Sequence, residues 1–417
     1  MTSSPIKVDV VVVGAGSAGV AAACSAANAG AKTVLVEKSD YPGGKATAAM
    51  VGTVCGLYLS HSGDEVRWAA GGFPRDFAEK LAARSHSQPE KFYDRLFFLP
   101  YGVDAFKTQC LEMLSESGVD CLWSSDLRRV VKNGDAIEQV VVQKGGEELE
   151  IAASRIIDCT GEALVSQLAD TNWVEGGENQ AAARVFILEN IPEMPAEAIH
   201  FALSLALRRG ISRNQIGEEF RMLSVVPGSF QKNSAYFKLP LPEEVSNNPL
   251  DRDEIKKRSE KRVKEVVDFL SNHAKAFAGV TLSEISDEVG FRTGYRSIGE
   301  RRLEEDDVLE ARKYSDGIAN GAWPIEFWKP GEKVEMAFME DNAYYQIPAG
   351  CLESRNAKNL YFAGRNLSAS PRAMASARVM GTCLQTGYAA GVLAASSASG
   401  VERVVAIEKI RRELKLN

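Results

Sequence analysis

The stretch from Asp9 to Ala48, DVVVVGAGSAGVAAACSAANAGAKTVLVEKSDYPGGKATA, decides the fold. Its run Val10–Val13 is short enough for a strand and apolar enough to be buried on both faces of a parallel sheet. The turn GAGSAG follows at 14–19, then small residues suited to a helix, then a second apolar strand that ends on Glu37. This order predicts a strand–turn–helix–strand unit that binds a dinucleotide.

The glycines of this turn have separate roles in such a unit. Gly14 permits the tight turn, Gly16 lets the backbone approach a pyrophosphate, and Gly19 lets the helix pack closely against the strand. Ser17 and Ala18 begin the helix, and its free N-terminal N–H groups would face the phosphates. All five residues are therefore candidate cofactor contacts.

The acidic end of the second strand predicts the ribose contact. Glu37 lies 18 positions after Gly19, where a carboxylate can accept hydrogen bonds from both ribose hydroxyls. Its charge would repel a 2′-phosphate, which disfavours NADP at this site. Lys38 adjoins it and is a further candidate contact. These features alone do not separate FAD from NAD.

Two further stretches resemble flavoproteins with the glutathione-reductase type of fold. PGGKAT at 42–47 is similar to the family's second glycine pair, and NLYFAGR at 359–365 resembles its late strand and turn. The resemblance implies that FAD is the cofactor. It implies that the first segment passes beneath the ribityl chain and isoalloxazine and that the second lies against the ribityl chain and phosphates, so the candidate contacts are Gly44, Lys45, Ala46, Thr47, Gly364 and Arg365.

The same resemblance extends to two more segments. DCTG at 158–161 is similar to the family's D-A-T-G turn, with Cys159 in place of the usual Ala, and RVMGTC at 378–383 matches its R-V-M-x-T-C element. The first implies contacts to the FAD adenosine and pyrophosphate from Thr160 and Gly161. The second implies a helix that points its N-terminus at the isoalloxazine and favours a reduced, anionic flavin. Its implied contacts are Arg378, Met380, Gly381 and Thr382.

The chain order predicts an α/β protein with discontinuous domains. A Rossmann-type FAD-binding domain is expected from residues 1–60, 101–178 and 331–417, with an inserted β-meander marked by turn signals at 133–135 and 145–146. The meander strands are expected at 119–122, 126–132, 136–144 and 148–151, and a separate strand is expected at 155–160. A cap-associated segment is expected at 61–100. Residues 179–330 are expected to form an α+β substrate domain, or cap.

Four residues are candidates for the chemistry. Arg292 and Arg296 lie in GFRTGYRSIG, which partly resembles an arginine-rich segment of the broad FAD-dependent oxidoreductase family. They could hold a substrate carboxylate bidentately beside the flavin, or pair with the acidic run 304–307. Glu326 is the nearby proton acceptor where that family often has a histidine. Arg378 completes the set.

Composition limits the partners. The formal net charge of −7 and pI near 5.5 give no footprint for nucleic acid, and no apolar run is long enough to predict a membrane span. Seven cysteines without a C-x-x-C pair, and an N-terminal MTSSPIK without the apolar core of a secretion signal, predict a cytoplasmic protein with reduced thiols. Four scattered histidines predict no metal site.

The predicted function is oxidation of a small organic substrate by hydride transfer to flavin N5. Oxygen, a quinone or a redox partner would then reoxidise the flavin. Two alternatives stay open. A flavin-dependent hydroxylase usually has G-D-A-x-H at the late FAD motif, where this chain has Gly364-Arg365-Asn366. A non-catalytic binding module can use the same fold.

Overall fold

The computed structural model describes residues 4–171, 173–174, 180–245 and 247–416. The predicted domain boundary at 178–179 lies outside these residues. The described strands are β1 (Ile6–Val13), β2 (Thr33–Val36), β3 (Thr53–Cys55), β4 (Glu90–Phe92), β5 (Leu96–Pro100), β6 (Asp120–Leu122), β7 (Ser125–Asn133), β8 (Ala136–Lys144), β9 (Glu147–Asp158), β10 (Trp173–Val174), β11 (Ala183–Glu189), β12 (Ser224–Val225), β13 (Ala235–Pro240), β14 (Thr281–Ile285), β15 (Arg296–Ser297), β16 (Gly317–Gly321), β17 (Ile325–Phe327), β18 (Glu335–Ala337), β19 (Tyr345–Pro348) and β20 (Leu360–Phe362). The described α-helices are α1 (Ser17–Asn28), α2 (Lys45–Ala48), α3 (Phe73–Ser85), α4 (Val103–Glu116), α5 (Leu164–Leu168), α6 (Ala196–Ser212), α7 (Pro249–His273), α8 (Glu305–Leu309), α9 (Pro371–Ala377), α10 (Met380–Ala398) and α11 (Arg403–Glu413).

The main sheet confirms the predicted α/β class. Its strands follow the order β6-β2-β1-β9-β8-β7, and β20 also pairs with β9. Strand β1 lies between β2 and β9 and is parallel to both. Its valines alternate between two cores: Val10 and Val12 pack on one face of the sheet, and Val11 and Val13 on the other. Burial on both faces explains why the whole run is apolar.

The predicted β-meander grows out of this sheet through one long strand. The sequence predicted separate strands at 148–151 and 155–160, but β9 is continuous. Along one edge, its first part pairs antiparallel with β8 and its last part pairs parallel with β20. Strand β1 runs along its other edge, and these contacts hold the whole segment extended.

Small residues let two helices pack closely on one face of the sheet. A Cβ atom on Gly387 of α10 would lie 2.1 Å from the carbonyl oxygen of Ala18 in α1. One on Gly391 would lie 2.3 Å from the carbonyl oxygen of Ala22, so neither glycine can be replaced without moving a helix. This contact fixes the start of α10 relative to the start of α1.

The middle of the chain forms a second sheet with its own core. Its strands follow the order β12-β13-β11-β14 and are antiparallel. Phe237 and Leu239 of β13 face a core shared with α6 and α7. Tyr236 packs with Met50, which follows the predicted FAD loop, so the opposite face of the sheet lies toward the segment of the second glycine pair. Because side chains alternate along a strand, Lys238 shares that face with Tyr236.

Three further features concern the described residues only. No helix among them is both long and apolar enough to cross a membrane. No group of three or more potential metal-ligating side chains comes together in them. All seven cysteines are free thiols.

Candidate functional site

The glycine-rich turn between β1 and α1 leaves open space at one position. A Cβ on Gly19 would lie 1.7 Å from the carbonyl oxygen of Gly14, and Gly14 itself has a φ of +97°. These two glycines are required by the packing of the protein. A Cβ on Gly16, in contrast, would meet nothing within 4 Å. The space over Gly16 is where the sequence predicts a pyrophosphate.

The second glycine pair lies directly against this turn. The N–H of Gly43 donates to the carbonyl oxygen of Ala15 at 2.8 Å, and a Cβ on Gly44 would lie 3.0 Å from Cα of Gly16. The structure thus brings together two motifs that are 24 residues or more apart in sequence. The hydroxyl of Thr47 donates to the carbonyl oxygen of Pro42 at 2.9 Å and so shapes the loop.

Glu37 is held firmly at the end of β2. Its carboxylate accepts hydrogen bonds from the N–H of Ala15 at 2.6 Å and from that of Ser39 at 2.9 Å, one on each oxygen. Each oxygen keeps acceptor capacity for a ribose hydroxyl. The side chain of Lys38 is exposed, and the structure gives it no contact with the turn.

The DCTG turn at 158–161 and the late strand and turn at 359–365 meet at Arg365. Arg365 donates to the carbonyl oxygen of Phe291 at 2.9 Å and lies 3.4 Å from the carboxylate of Glu162. A Cβ on Gly161 would lie 2.5 Å from its guanidinium, so this glycine makes room for the arginine. The hydroxyl of Thr160 donates to Asp158 at 2.7 Å within its own turn.

The N-terminus of α10 carries an unsatisfied polar group. The hydroxyl oxygen of Thr382 is buried and has no hydrogen-bond partner among the described residues. A Cβ on Gly381 would lie 2.5 Å from the backbone of Gly56, so β3 and the start of α10 are in contact. Met380 is half-buried and its sulfur lies 4.0 Å from the hydroxyl of Tyr101. That hydroxyl also donates to the carbonyl oxygen of Ala46, which links α10 to the second glycine pair.

Lys45 adds a charge that is poorly solvated. Burial, followed by repulsion from the nearby Arg365, lowers its pKa to about 8, although Glu288, 3.6 Å away, opposes the shift. Two cations in one enclosed place are stabilised by a bound anion. Together with the space over Gly16, this charge fits the phosphates of FAD. The unpartnered hydroxyl of Thr382 fits the isoalloxazine contact that the sequence implies for it.

A second cluster adjoins this site and is centred on Glu326. The indole N–H groups of Trp323 and Trp328 each donate to one oxygen of its carboxylate at 3.0 Å. Both indoles and the surrounding strands enclose this carboxylate. Burial alone would raise its pKa, but Arg378, the Trp323 hydrogen bond and further cations lower it below its ordinary value.

Two predicted arginines belong to this cluster. Arg378 donates to the side-chain oxygen of Gln180 at 3.2 Å and to the backbone carbonyl of Glu326 at 3.3 Å, and its Nε is buried without a partner among the described residues. Arg292 donates to the carbonyl oxygen of Ala181, and its guanidinium lies 4.6 Å from the ring centre of Trp328. Burial lowers the pKa of Arg292 to about 9, and repulsion by Arg378 contributes.

Arg296 does not belong to the cluster. It is buried in β15, where it pairs with Val174 of β10, and burial followed by repulsion from Arg302 lowers its pKa to about 10. The structure thus places Arg296 apart from Arg292, and Arg292 lies within the electrostatic reach of Arg378 instead. The acidic run 304–307 has ion pairs to Arg302, Arg312 and Arg372.

The sequence missed two members of the cluster. The ammonium of Lys238 lies 4.9 Å from the ring centre of Trp328 and is reached by the charges of Arg292 and Glu326. Cys55 ends β3 and is half-buried, close to the same glutamate. A lysine at an inward position of the apolar strand AYFKLP was a usable signal. The grouping of Lys238 with Arg292 and Arg378 had no such signal in the sequence, because the three residues come from distant segments.

This fold and these sites define a dinucleotide-binding flavoprotein of the Rossmann type. The chain belongs to the FAD dependent oxidoreductase family, whose model matches residues 9–414, and FAD is its cofactor. No curated protein sequence matches it.

Solved structures with related folds are distant in sequence. CabE, an aromatic hydroxylase from angucycline biosynthesis, superposes with a TM-score of 0.52 at 11% identity, over 98% of this chain and 66% of that chain. The flavin-dependent brominase Bmp2 gives 0.50 at 12% identity, over 97% of this chain and 83% of that one. At such identities the likeness shows the fold alone.

Proposed function

We propose that this protein oxidises a small organic acid by hydride transfer to flavin N5, with oxygen, a quinone or a redox partner as the final acceptor. The observation that carries the proposal is the Arg292–Arg378 pair beside the start of α10. Both guanidinium groups are enclosed, both have lowered pKa values, and no carboxylate lies within ion-pair distance of either among the described residues. A substrate carboxylate would supply the missing negative charge.

The residues of the chain divide into two groups in this proposal. The backbone around Gly16 and Gly44, with Glu37 and Lys45, would hold FAD, and the pairing of Gly16 with Gly43 supports the glutathione-reductase type of FAD loop. FAD bound there supplies a two-electron acceptor for the substrate hydride. The cluster around Glu326 would bind and orient the substrate, with the two indoles offering an apolar wall.

The alternatives require different partners. A hydroxylase would need oxygen together with an external electron donor, and the fold shared with CabE is compatible with that chemistry without favouring it. Membership of an oxidoreductase family favours an enzyme over a non-catalytic binding module. A cytoplasmic location stays a prediction, which the free thiols support.

Anion binding to the purified yellow protein tests the carboxylate site directly. Benzoate should perturb the flavin absorption spectrum, and Arg292→Met should weaken its binding by about 10–100-fold, because a charge-assisted hydrogen bond contributes about 1.5–3 kcal/mol. Arg208→Met, at an exposed cap position, is the matched control. Equal benzoate affinity in both variants would remove the basis of the proposal.

A further test separates oxidation from hydroxylation. In the absence of oxygen, a panel of organic acids is added to the oxidised protein and the flavin absorbance is followed. Bleaching by an acid alone supports the proposed oxidation. Bleaching that requires NADH or NADPH in addition would instead support the hydroxylase.

A further inference from the structure

One charged side chain in the cluster around Glu326, that of Lys238, has no role in the proposed function so far. Lys238 lies on the face of the cap sheet that is turned toward the FAD-binding segments, opposite Val185 of β11. Its ammonium has no hydrogen bond or ion pair among the described residues and lies over the ring of Trp328. The side chain is half-buried, so it borders a space that solvent or a small molecule can reach.

The other side chains of the cluster are poor proton acceptors. Burial, followed by repulsion from Glu326, raises the pKa of Cys55 to about 12, so its thiol keeps its proton. Glu326 has a lowered pKa and uses both oxygens for indole hydrogen bonds. An arginine remains protonated at neutral pH, even with its pKa near 9 as in Arg292.

Lys238 differs from these side chains in two ways. Its ammonium has no hydrogen bond or ion pair among the described residues, and the groups around it lower its pKa. Burial is the largest influence and lowers its pKa, and repulsion by Arg292 and Arg378 acts in the same direction. Glu326 opposes the shift without reversing it, and an ionised Cys55 would act in the same direction as Glu326. These four are the charged or titratable groups that act on it from β3, β17, the segment after β14 and the end of α9. The lowered pKa of Lys238 makes its neutral amine, the form that can accept a proton, easier to reach than that of an exposed lysine.

We propose that Lys238 is the base of the reaction and that the substrate is an organic acid whose oxidised carbon carries a hydroxyl or amino group. This inference rests on the proposed function, which supplies the two-electron oxidant and the carboxylate site. Arg292 and Arg378 would hold the carboxylate, and Lys238 would face the hydroxyl or amino group from the cap.

The step balances in atoms and electrons. In a hydroxy acid the C–H bond breaks and its electron pair leaves with the hydrogen as hydride to the oxidised cofactor. The O–H bond breaks, its proton passes to neutral Nζ of Lys238, and a C=O bond forms. An amino acid would lose an N–H proton in the same way and leave as an imine. Either substrate loses two electrons and two hydrogens in total.

The proton affinity of Lys238 can be measured without knowing the substrate. In the FAD-loaded protein, trace acetylation with acetic anhydride at several pH values, followed by peptide mass spectrometry, reports the titration of each lysine. Lys238 should titrate at a lower pH than the exposed Lys261 of the same cap. Glu326→Gln should move this titration to a still lower pH, because it removes the carboxylate that favours the ammonium. A Lys238 that titrates together with Lys261 would overturn the proposal.

Reduction of the flavin tests the chemistry. A panel of 2-hydroxy and 2-amino acids is mixed anaerobically with the wild type, with Lys238→Met and with Lys261→Met. The rate of bleaching in the wild type should fall as the pH falls through the titration of Lys238. Lys238→Met should lose about 10²–10⁴-fold in rate together with this pH dependence, and added methylamine should restore part of the rate. Lys261→Met should match the wild type.

Lys238→Arg separates a base from a fixed cation. The arginine keeps the positive charge and cannot accept a proton at neutral pH, so it should bleach as slowly as Lys238→Met. Wild-type rates in Lys238→Arg would overturn the inference and assign Lys238 to anion binding. If no acid bleaches the wild-type flavin, the proposed function itself fails, and the acetylation experiment alone then decides whether Lys238 is the basic group of this cluster.

Discussion

The side-chain amide of Asn366 donates a 2.6 Å hydrogen bond to the buried carboxylate of Asp158. Both residues are fully buried. The same carboxylate accepts from the hydroxyl of Thr160 at 2.7 Å and from the N–H of Val165 at 2.8 Å. Asp158 ends β9 and Asn366 follows β20, so this bond ties together the two turns that the sequence places at the adenosine and phosphate end of FAD.

Replacing Asn366 by Leu should therefore destabilise the protein. The substitution removes a donor from a buried carboxylate, so we expect the free energy of unfolding to fall by about 1.5–3 kcal/mol. Urea denaturation at pH 7 measures the change. Asn356→Leu, at an exposed position, should change it by no more than about 0.5 kcal/mol. Equal stability of the two variants would show that the Asn366–Asp158 bond contributes nothing.

Two alanine substitutions in one turn should have opposite consequences. Gly16→Ala should fold normally, because its φ of −69° suits alanine and no atom stands within 4 Å of the new methyl. It should nevertheless lose FAD affinity by at least about tenfold, since the methyl would occupy the space needed for close backbone approach. Gly19→Ala should fail at the folding step, with a cost of more than about 4 kcal/mol.

The measurements for this pair are far-ultraviolet circular dichroism for folding and fluorescence titration of the apoprotein for FAD binding. If Gly16→Ala binds FAD as tightly as the wild type, the pyrophosphate does not pass over Gly16. If Gly19→Ala folds well, the close contact with Gly14 is not rigid.

The affinity for FAD should depend on pH through Lys45. Its pKa of about 8 means that the free protein carries a neutral amine above that pH, and binding of the anionic cofactor then requires uptake of a proton. The affinity should be constant below pH 8 and should fall above it by up to about tenfold per pH unit. Lys45→Met should remove this dependence, whereas Lys32→Met, at an exposed site, should retain it. Isothermal titration calorimetry between pH 6.5 and pH 10 measures the affinity for FAD. A wild-type affinity that does not fall above pH 8 would contradict the prediction.

The nucleotide-binding unit could be predicted from sequence because its signals are local. A valine run, a glycine turn and a strand-terminal acid lie within one short segment, and β1, α1 and β2 form where these patterns stand. Strand β9 shows the limit of such patterns. Ala152, Ala153 and Ser154 favour a strand only weakly, and the sequence therefore predicted a break there. Pairing with β1 from Ile151 to Asp158 spans this segment and overrides that local preference.

The cluster around Glu326 could be predicted only in part. Glu326 stands between two tryptophans in the local pattern WPIEFW, so its enclosure by indoles was within reach of sequence reasoning. The other members come from four distant segments: Cys55, Lys238, Arg292 and Arg378. Only the packing of the sheet β12-β13-β11-β14 against the rest of the chain brings them together. The same fact explains why Arg296, four residues from Arg292, lies elsewhere.

Glu326 should stabilise the folded protein in a pH-dependent way. Its pKa in the folded protein lies below the ordinary value of 4.5, so its contribution is fully present above pH 4.5 and is lost as the pH falls toward the lower folded value. Glu326→Gln should lower the free energy of unfolding at pH 7 by about 1–3 kcal/mol, because Lys238, Arg292 and Arg378 lose the counter-charge of Glu326 and one indole loses its carboxylate acceptor.

The difference between wild type and Glu326→Gln should shrink below pH 4.5, where the wild-type carboxylate also becomes protonated. Urea denaturation of both proteins at pH 7, 5 and 4 measures it, and Glu332→Gln, at an exposed position, controls for general charge effects. A difference in the free energy of unfolding that stays constant from pH 7 to pH 4 would mean that Glu326 acts through packing and hydrogen bonds alone, and not through its charge. A Glu326→Gln protein more stable than the wild type at pH 7 would mean that removing a buried charge outweighs the loss of its attraction to Lys238, Arg292 and Arg378.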